Sequence, residues 1–113
     1  MKEPTVYVVM DMGSKDFSPA LQYGQLEVLL SRDLPVFGDA SPVINKLAAQ
    51  LAQFDPLVDH VLPTGDPLAI GAVFAVLGRA GHPHIMTLKW DRQARIYRPV
   101  KIPILPRRAN LDL

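Results

Sequence analysis

The chain has 113 residues, of which 49% are hydrophobic and 20% are charged. This size and composition are typical of one globular domain and not of a disordered segment. No apolar run reaches the roughly 18 residues of a membrane span, and residues 1–4 lack the apolar core of a signal peptide. We therefore expect a cytoplasmic protein with no membrane partner. The absence of cysteine excludes disulfides, thiolate catalysis and cysteine-based zinc sites.

The net charge is only +1, but the charged residues are unevenly distributed along the chain. Residues 1–84 contain five Lys or Arg against nine Asp or Glu, whereas residues 85–108 contain seven Lys or Arg and one acid, Asp91. Such asymmetry predicts an acidic body that carries a basic binding surface. The alternative is a solvated edge hairpin, because cations on an edge strand also deter aggregation.

The first half of the chain predicts two strands and a helix. Residues 5–10, TVYVVM, are almost continuously hydrophobic, as in a strand buried on both faces. Residues 25–30, QLEVLL, follow a Tyr-Gly turn signal and form the second strand. After a loop over 31–40, Ser41-Pro42 is a cap-plus-proline signature that starts a helix, which ends at Asp55-Pro56.

A short strand over 58–62 leads to a second helix with the same kind of start. Asp66 is expected to cap the helix Pro67–Ala80, and Gly81 ends it. The helix carries no charge before Arg79 and is apolar all round, so it should be buried on more than one side. We therefore expect a homo-oligomer, assembled through this helix or through an open face of the sheet.

The last two strands, over 85–90 and 96–104, form a hairpin around the turn Asp91–Arg95. Two prolines in the final strand remove donors from the ladder, which predicts an edge position. The expected domain organisation is a single α/β domain over 1–104 and a C-terminal tail over 105–113.

The predicted element order is β-β-α-β-α-β-β. Right-handed crossovers through both helices give a partly parallel sheet, with both helices on one face if the crossovers advance in one direction. The expected fold class is α/β: a two-layer sandwich of two helices on a mixed sheet of about five strands. The other face of the sheet would be free for a partner subunit.

Two aspartates mark the predicted carboxyl ends of the first and third strands. If these strands are parallel, Asp11 and Asp66 share an edge of the sheet and could hold Mg²⁺ with a phosphate substrate. The alternative gives Asp11 a turn role and Asp66 a cap role, in which its carboxylate would repel an anion. Residues 11–14, DMGS, resemble the first phosphate loop of the sugar kinase and actin superfamily, which requires a much longer, two-lobed chain. No cofactor is predicted.

The histidines and serines give weaker signals. His82 and His84 have the alternate spacing that places two imidazoles on one strand face, and His60 begins the preceding strand. They lie at the sheet end opposite to the aspartates, so we expect surface histidines and no metal site. Ser14 and Ser18 have no adjacent base and no nucleophile motif.

The C-terminal hairpin carries the strongest functional signal. Its cations can bind phosphates, and an exposed aromatic, Tyr97, can stack on a base. The alternative is that Trp90 belongs to the core and Tyr97 packs on lysine stems. Strand alternation places Lys89, Arg95, Tyr97 and Lys101 on one face and Met86, Leu88 and Trp90 on the other. The predicted nucleic-acid-binding residues are Lys89, Arg92, Arg95, Tyr97, Arg98, Lys101, Arg107 and Arg108.

Four stretches, VYVVMD, SPALQYG, LPTGDPLAIG and LKWDRQARIYRPVKI, together resemble small uncharacterised proteins encoded by bacteriophages and environmental viruses. The resemblance covers most of the chain. It implies a phage accessory protein that acts in the cytoplasm of an infected bacterium, and it implies neither an activity nor particular site residues.

These observations lead to one hypothesis and two rivals. The first is a non-enzymatic phage accessory protein that binds nucleic acid, single-stranded in form, through the basic hairpin. The second is an interaction protein that binds or inhibits a host protein. The third is a small Mg²⁺-dependent phosphate or nucleotide enzyme that uses Asp11 and Asp66.

Overall fold

The computed structural model describes residues 2–32 and 37–105. The strands are β1 (Thr5–Met10), β2 (Gln25–Leu30), β3 (His60–Leu62), β4 (His84–Asp91) and β5 (Ile96–Pro103). The helices are α1 (Ser41–Gln50) and α2 (Pro67–Arg79), and a 3₁₀ helix spans Ser18–Tyr23. One sheet contains all five strands in the order β2-β1-β3-β4-β5, parallel except for the antiparallel β4–β5 pair. The predicted α/β class, with a mixed five-strand sheet and two helices, is confirmed.

The direction of each crossover decides which face of the sheet it covers. The connections from β2 to β3 and from β3 to β4 advance towards β5, so right-handed crossovers place α1 and α2 on the same face. There Leu47 of α1 and Val73 of α2 share a core with Val9. The connection from β1 to β2 runs the other way, and its 3₁₀ helix contributes Ala20 to a second core, with Leu88 and Tyr97, on the opposite face. The prediction that this face is open is therefore wrong where the 3₁₀ helix covers it.

The two helices start differently. Asp66 is the N-cap of α2, where its Oδ1 accepts a hydrogen bond from Leu68 N at 2.8 Å, as predicted. The prediction that Ser41 caps α1 is wrong by one residue, because the N-cap is Ala40. Ser41 is the first helical residue, and its backbone N–H and hydroxyl both donate to Asp39, at 2.8 and 2.6 Å. Asp39, two residues before Ser41, thus accepts a hydrogen bond from the first turn of the helix, which the cap was expected to do.

Helix α2 is buried along one side in the single chain. Its fully or nearly buried residues are Ala69, Ala72, Val73, Val76 and Leu77. Gly71 and Ala75 lie on its exposed side, so the prediction of burial on more than one side is not met within one copy of the chain. None of the helices in the described part of the chain combines the length and apolar character that a membrane crossing needs.

A buried carboxylate fastens the start of β1 to the loop before β3. Asp59 is 0% exposed and accepts hydrogen bonds from Thr5 N at 2.9 Å, Asp55 N at 2.8 Å and Lys2 Nζ at 2.5 Å. Partial burial works to lower the pKa of Lys2, but the hydrogen bond and charge of Asp59 outweigh it and raise that pKa. These contacts satisfy a charge that would otherwise be costly to bury.

Candidate nucleic-acid interface

The carboxyl edge of the sheet has a step between β3 and β4. Val61 of β3 pairs with Thr87 of β4. β3 ends at the next residue, Leu62, whereas β4 continues as far as Asp91. The loops that follow β1 and β3 meet at the same edge, because Thr64 Oγ1 donates a hydrogen bond to Met10 O at 3.0 Å. The end of β4 therefore pairs with β5 on one side but stands beside two loops on its β3 side.

A cleft of about 350 Å³ occupies this step. We call it the carboxyl-edge cleft; its lining includes Lys15, Leu62, Thr64, Lys89, Trp90 and Tyr97. A second cleft, of about 480 Å³, lies at the end of the hairpin. We call it the hairpin cleft; its lining includes Lys89, Trp90, Arg92, Gln93, Arg98 and Pro99. The two clefts share Lys89 and Trp90, so these residues stand where the clefts join.

The two hairpin aromatics differ in exposure, and Trp90, not Tyr97, is the exposed one. Trp90 is 39% exposed, whereas Tyr97 is 3% exposed. Their rings form an edge-to-face pair with centroids 4.9 Å apart, and Tyr23 Oη donates to Tyr97 O at 2.9 Å. Burial, assisted by the charge of Asp16, raises the pKa of Tyr97. The expected exposure of Tyr97 is therefore wrong, and so is the alternative in which Trp90 belongs to the core.

The faces of the hairpin also differ from the prediction. In an antiparallel ladder, directly paired residues point to the same face. Lys89 pairs with Arg98 and Trp90 pairs with Tyr97, so Lys89 lies on the side of the helices and Tyr97 on the other side with Trp90. Lys101 pairs with Met86 and shares the Trp90 face. The cations are thus distributed over both faces and do not form the single basic face that was predicted.

The cause is a one-residue difference in register. The predicted turn includes Asp91, which would place Lys89 opposite Tyr97. In the structure Asp91 belongs to β4 and pairs with Ile96. Asp91 Oδ1 accepts hydrogen bonds from the backbone N–H groups of Gln93 and Ala94, at 3.0 and 3.1 Å, and this shortens the turn. A shift of one residue moves side chains to the opposite face.

The cations of the hairpin are exposed, but Arg98 is also held in an ion pair. Lys89, Arg92, Arg95, Arg98 and Lys101 are all exposed. Arg98 Nε donates to Asp91 Oδ2 at 2.6 Å, and this hydrogen bond is the main cause that lowers the pKa of Asp91. Arg98 is therefore partly neutralised. The predicted residues Arg107 and Arg108 lie outside the described residues.

The two candidate magnesium ligands serve the local backbone. Asp11 Oδ1 accepts a hydrogen bond from Gly13 N at 2.9 Å, and Asp66 Oδ1 caps α2. Within residues 2–32 and 37–105 there is no group of three or more His, Asp or Glu side chains that could hold a metal ion. The hydrogen bonds of Asp11 and Asp66 are those of the expected turn and cap roles.

The three histidines and Ser18 have separate local partners. Burial lowers the pKa of His60, with the charge of Asp59 opposing the shift. Ser18 Oγ donates to Asp16 at 3.0 Å, which is a local turn contact. The histidine contacts are His60 with the Tyr23 ring, His82 with the Phe54 ring and His84 Nε2 with Pro56 O.

The sheet order reverses between β1 and β3, and the adjoining cleft lies at the carboxyl ends of the parallel strands. These features define an α/β protein with a topological switch point and a cleft beside it. The chain belongs to the Phage Pam3 gp32-like protein family, whose family profile matches residues 4–104. The resemblance to small phage proteins is thereby confirmed. No curated protein and no solved structure gives a significant match.

Proposed function

We propose that this phage protein binds single-stranded nucleic acid through the β4–β5 hairpin, with Trp90 as the stacking residue. The observation that carries the proposal is the position of Trp90, which is 39% exposed where two clefts join. Lys15, Lys89 and Arg92 border those clefts. An exposed aromatic ring among cations supplies both base stacking and phosphate neutralisation.

The tryptophan favours single strands over duplex. Bases in a duplex are stacked on one another and present only their edges in the grooves. An aromatic side chain can cover the face of a base only when that base is unstacked. Trp90 is supported for this role because its ring rests on the buried Tyr97, which the 3₁₀ helix holds through Tyr23. A supported ring loses little conformational freedom when a base stacks on it.

The proposed role is binding without catalysis. Asp11 and Asp66, the two candidate acids that follow β1 and β3, already accept hydrogen bonds from backbone N–H groups. Using either as a metal ligand or a base would compete with the turn or the cap.

The direct test is fluorescence anisotropy with a labelled single strand of about 12 nucleotides, within the usual site size of one small domain. The same sequence as a duplex is the control, and both are titrated from low to physiological salt. We expect single strands to bind more tightly, with a log–log salt slope of about −0.7 for each phosphate contacted. Equal affinity for the duplex, or no single-strand binding at low salt, would refute the proposal.

One observation favours a second candidate, the binding of an acidic host protein. Ile96, Val100 and Ile102 are exposed along β5, on the same face as Lys89 and Arg98. Exposed aliphatic side chains bordered by cations are typical of a protein-binding surface. The variant Ile102→Asp separates the candidates. It should abolish the binding of an identified host partner while oligonucleotide affinity stays unchanged.

We also propose self-association through α2. Leu68 is exposed beside Gly71 and Ala75, which would allow close approach of a second backbone. We expect light scattering to show a dimer or larger species at high micromolar concentration. A monomer under those conditions would contradict this.

A further inference from the structure

The carboxyl-edge cleft has a cation of its own. Lys15 lines this cleft and not the hairpin cleft, whereas Arg92 lines only the hairpin cleft. The Lys15 ammonium lies 5.7 Å from the centroid of the Phe17 ring, and Phe17 packs on the core beneath the 3₁₀ helix. A cation–π contact of this kind restrains the lysine near the mouth of the cleft.

The topology explains why a cleft exists at this position. The loop after β1 leads to the 3₁₀ helix on one face of the sheet, and the loop after β3 leads to α2 on the other. Loops that diverge in this way leave a crevice at the carboxyl ends of the strands. Lys15 comes from the first loop and Thr64 from the second, and both line the cleft.

The chemistry of the lining indicates what the cleft can hold. A volume of about 350 Å³ is at the small end of the range of ligand pockets. Leu62, Leu88 and Trp90 make its walls largely apolar, with one aromatic ring exposed. Thr64 Oγ1 already donates a hydrogen bond to Met10 O. The cations of the lining that can bind an anion are Lys15 and Lys89. A flat aromatic group joined to an anion fits this lining.

We infer that the carboxyl-edge cleft binds one nucleotide unit, with its base against Trp90 and its phosphate at Lys15. The inference rests on the proposed single-strand binding, because the nucleotide is one unit of the bound strand. The rest of the strand follows the hairpin cleft past Arg92. A free nucleoside 5′-monophosphate presents the same base and phosphate and should occupy the cleft by itself.

Intrinsic fluorescence provides a readout at the site itself, because Trp90 is the sole tryptophan of the chain. We expect AMP to quench this fluorescence saturably. Ribose 5-phosphate, which has the phosphate without the base, should not quench, and adenosine should bind more weakly than AMP. Calorimetry of the same AMP titration checks for binding that leaves Trp90 unchanged; such binding would refute the placement of the base.

Three variants place the phosphate. Lys15→Ala should weaken AMP binding about tenfold, the loss expected for one hydrogen bond to a charged group. Arg92→Ala should leave AMP affinity unchanged while weakening oligonucleotide binding. Lys46→Ala, which removes an exposed lysine of α1, is the matched control and should change neither. Similar AMP losses in Lys15→Ala and Arg92→Ala would refute the inferred position.

The outcomes separate the inference from the function on which it rests. If single-stranded oligonucleotides bind but AMP neither quenches Trp90 nor gives a calorimetric signal, the nucleotide site is refuted and the hairpin function stands. If neither AMP nor oligonucleotides bind at low salt, both are refuted.

Discussion

The centre of the sheet and its terminal strand differ in how much of each strand is buried. Every residue of β1 after Thr5 is buried, whereas Tyr97 is the single buried residue of β5. β1 has a strand on each side and a packed layer on each face. β5 lies at the edge of the sheet, where prolines are tolerated although they lack the N–H donor. Position in the sheet, and not hydrophobicity alone, leaves the side chains of β5 free to contact another molecule.

The two regions also treat charge differently. In the body, Asp59 is fully buried and holds Lys2 and two backbone N–H groups. In the hairpin, Arg98 and Asp91 form an ion pair whose side chains are 58% and 27% exposed. The first pair fastens the fold, whereas the second remains accessible to salt and to ligands.

The sharpest contrast is expected at the aromatic pair. Tyr97→Ala should lower the free energy of unfolding by about 3–5 kcal/mol, because it empties a buried aromatic site. Trp90→Ala should lower it less, since the ring is 39% exposed. Denaturant unfolding measures both, with Tyr97→Phe as the control that keeps the ring. A larger loss of unfolding free energy for Trp90→Ala than for Tyr97→Ala would contradict the assignment of Tyr97 as the buried ring.

The next largest difference is expected between the stability costs of removing Asp59 and of removing Asp91. Asp59→Ala leaves Thr5 N and Asp55 N without their carboxylate acceptor, at a cost of about 1–3 kcal/mol for each buried group. Asp91→Ala should cost less, because the ion pair and the turn hydrogen bonds that it removes are exposed to solvent. Thermal or denaturant unfolding tests the order, and equal costs would contradict the contrast between body and hairpin.

A smaller effect is expected at the start of α2. Asp66→Ala should destabilise the protein by about 0.5–2 kcal/mol through loss of the cap to Leu68 N. The loss should be the same with and without Mg²⁺. A wild-type stabilisation by Mg²⁺ that disappears in this variant would instead restore the metal-site alternative.

The smallest effects concern single cations in oligonucleotide binding. Lys89→Ala and Arg92→Ala should each flatten the log–log salt slope by about 0.7. Arg98→Ala should change it less, because Asp91 already neutralises part of that charge. The anisotropy salt series measures all three, with Lys46→Ala as the reference. A loss for Arg98→Ala as large as that for Arg92→Ala would show that the ion pair opens on binding.

The sequence predicts the elements of the fold well because their signals are local. Asp66-Pro67 signals a cap and a first turn, and the two prolines of β5 signal an edge. The 3₁₀ helix Ser18–Tyr23 was not predicted, because it is too short for helical periodicity and makes its main contacts with distant strands. Its consequence, a partly covered second face, was therefore missed as well.

The site is harder to predict because it depends on register and on what covers each face. Alternation along β4 and β5 separates two sets of side chains but does not say which set is buried. Assigning Asp91 to the turn then reversed the relation between Lys89 and Tyr97. The basic character of the hairpin could be read from charge counts, whereas the exposure of Trp90 required the packing of Tyr97 beneath it.

The central claim is that Trp90, supported by a buried Tyr97, stacks on a base of a single strand. The most direct measurement is the affinity of Trp90→Ala and Trp90→Phe for the single-stranded oligonucleotide at one low salt concentration, relative to wild type. We expect Trp90→Ala to lose about 1–3 kcal/mol of binding free energy, Trp90→Phe to recover most of it, and the salt slope to stay unchanged. Binding of Trp90→Ala that equals wild type would contradict the central claim.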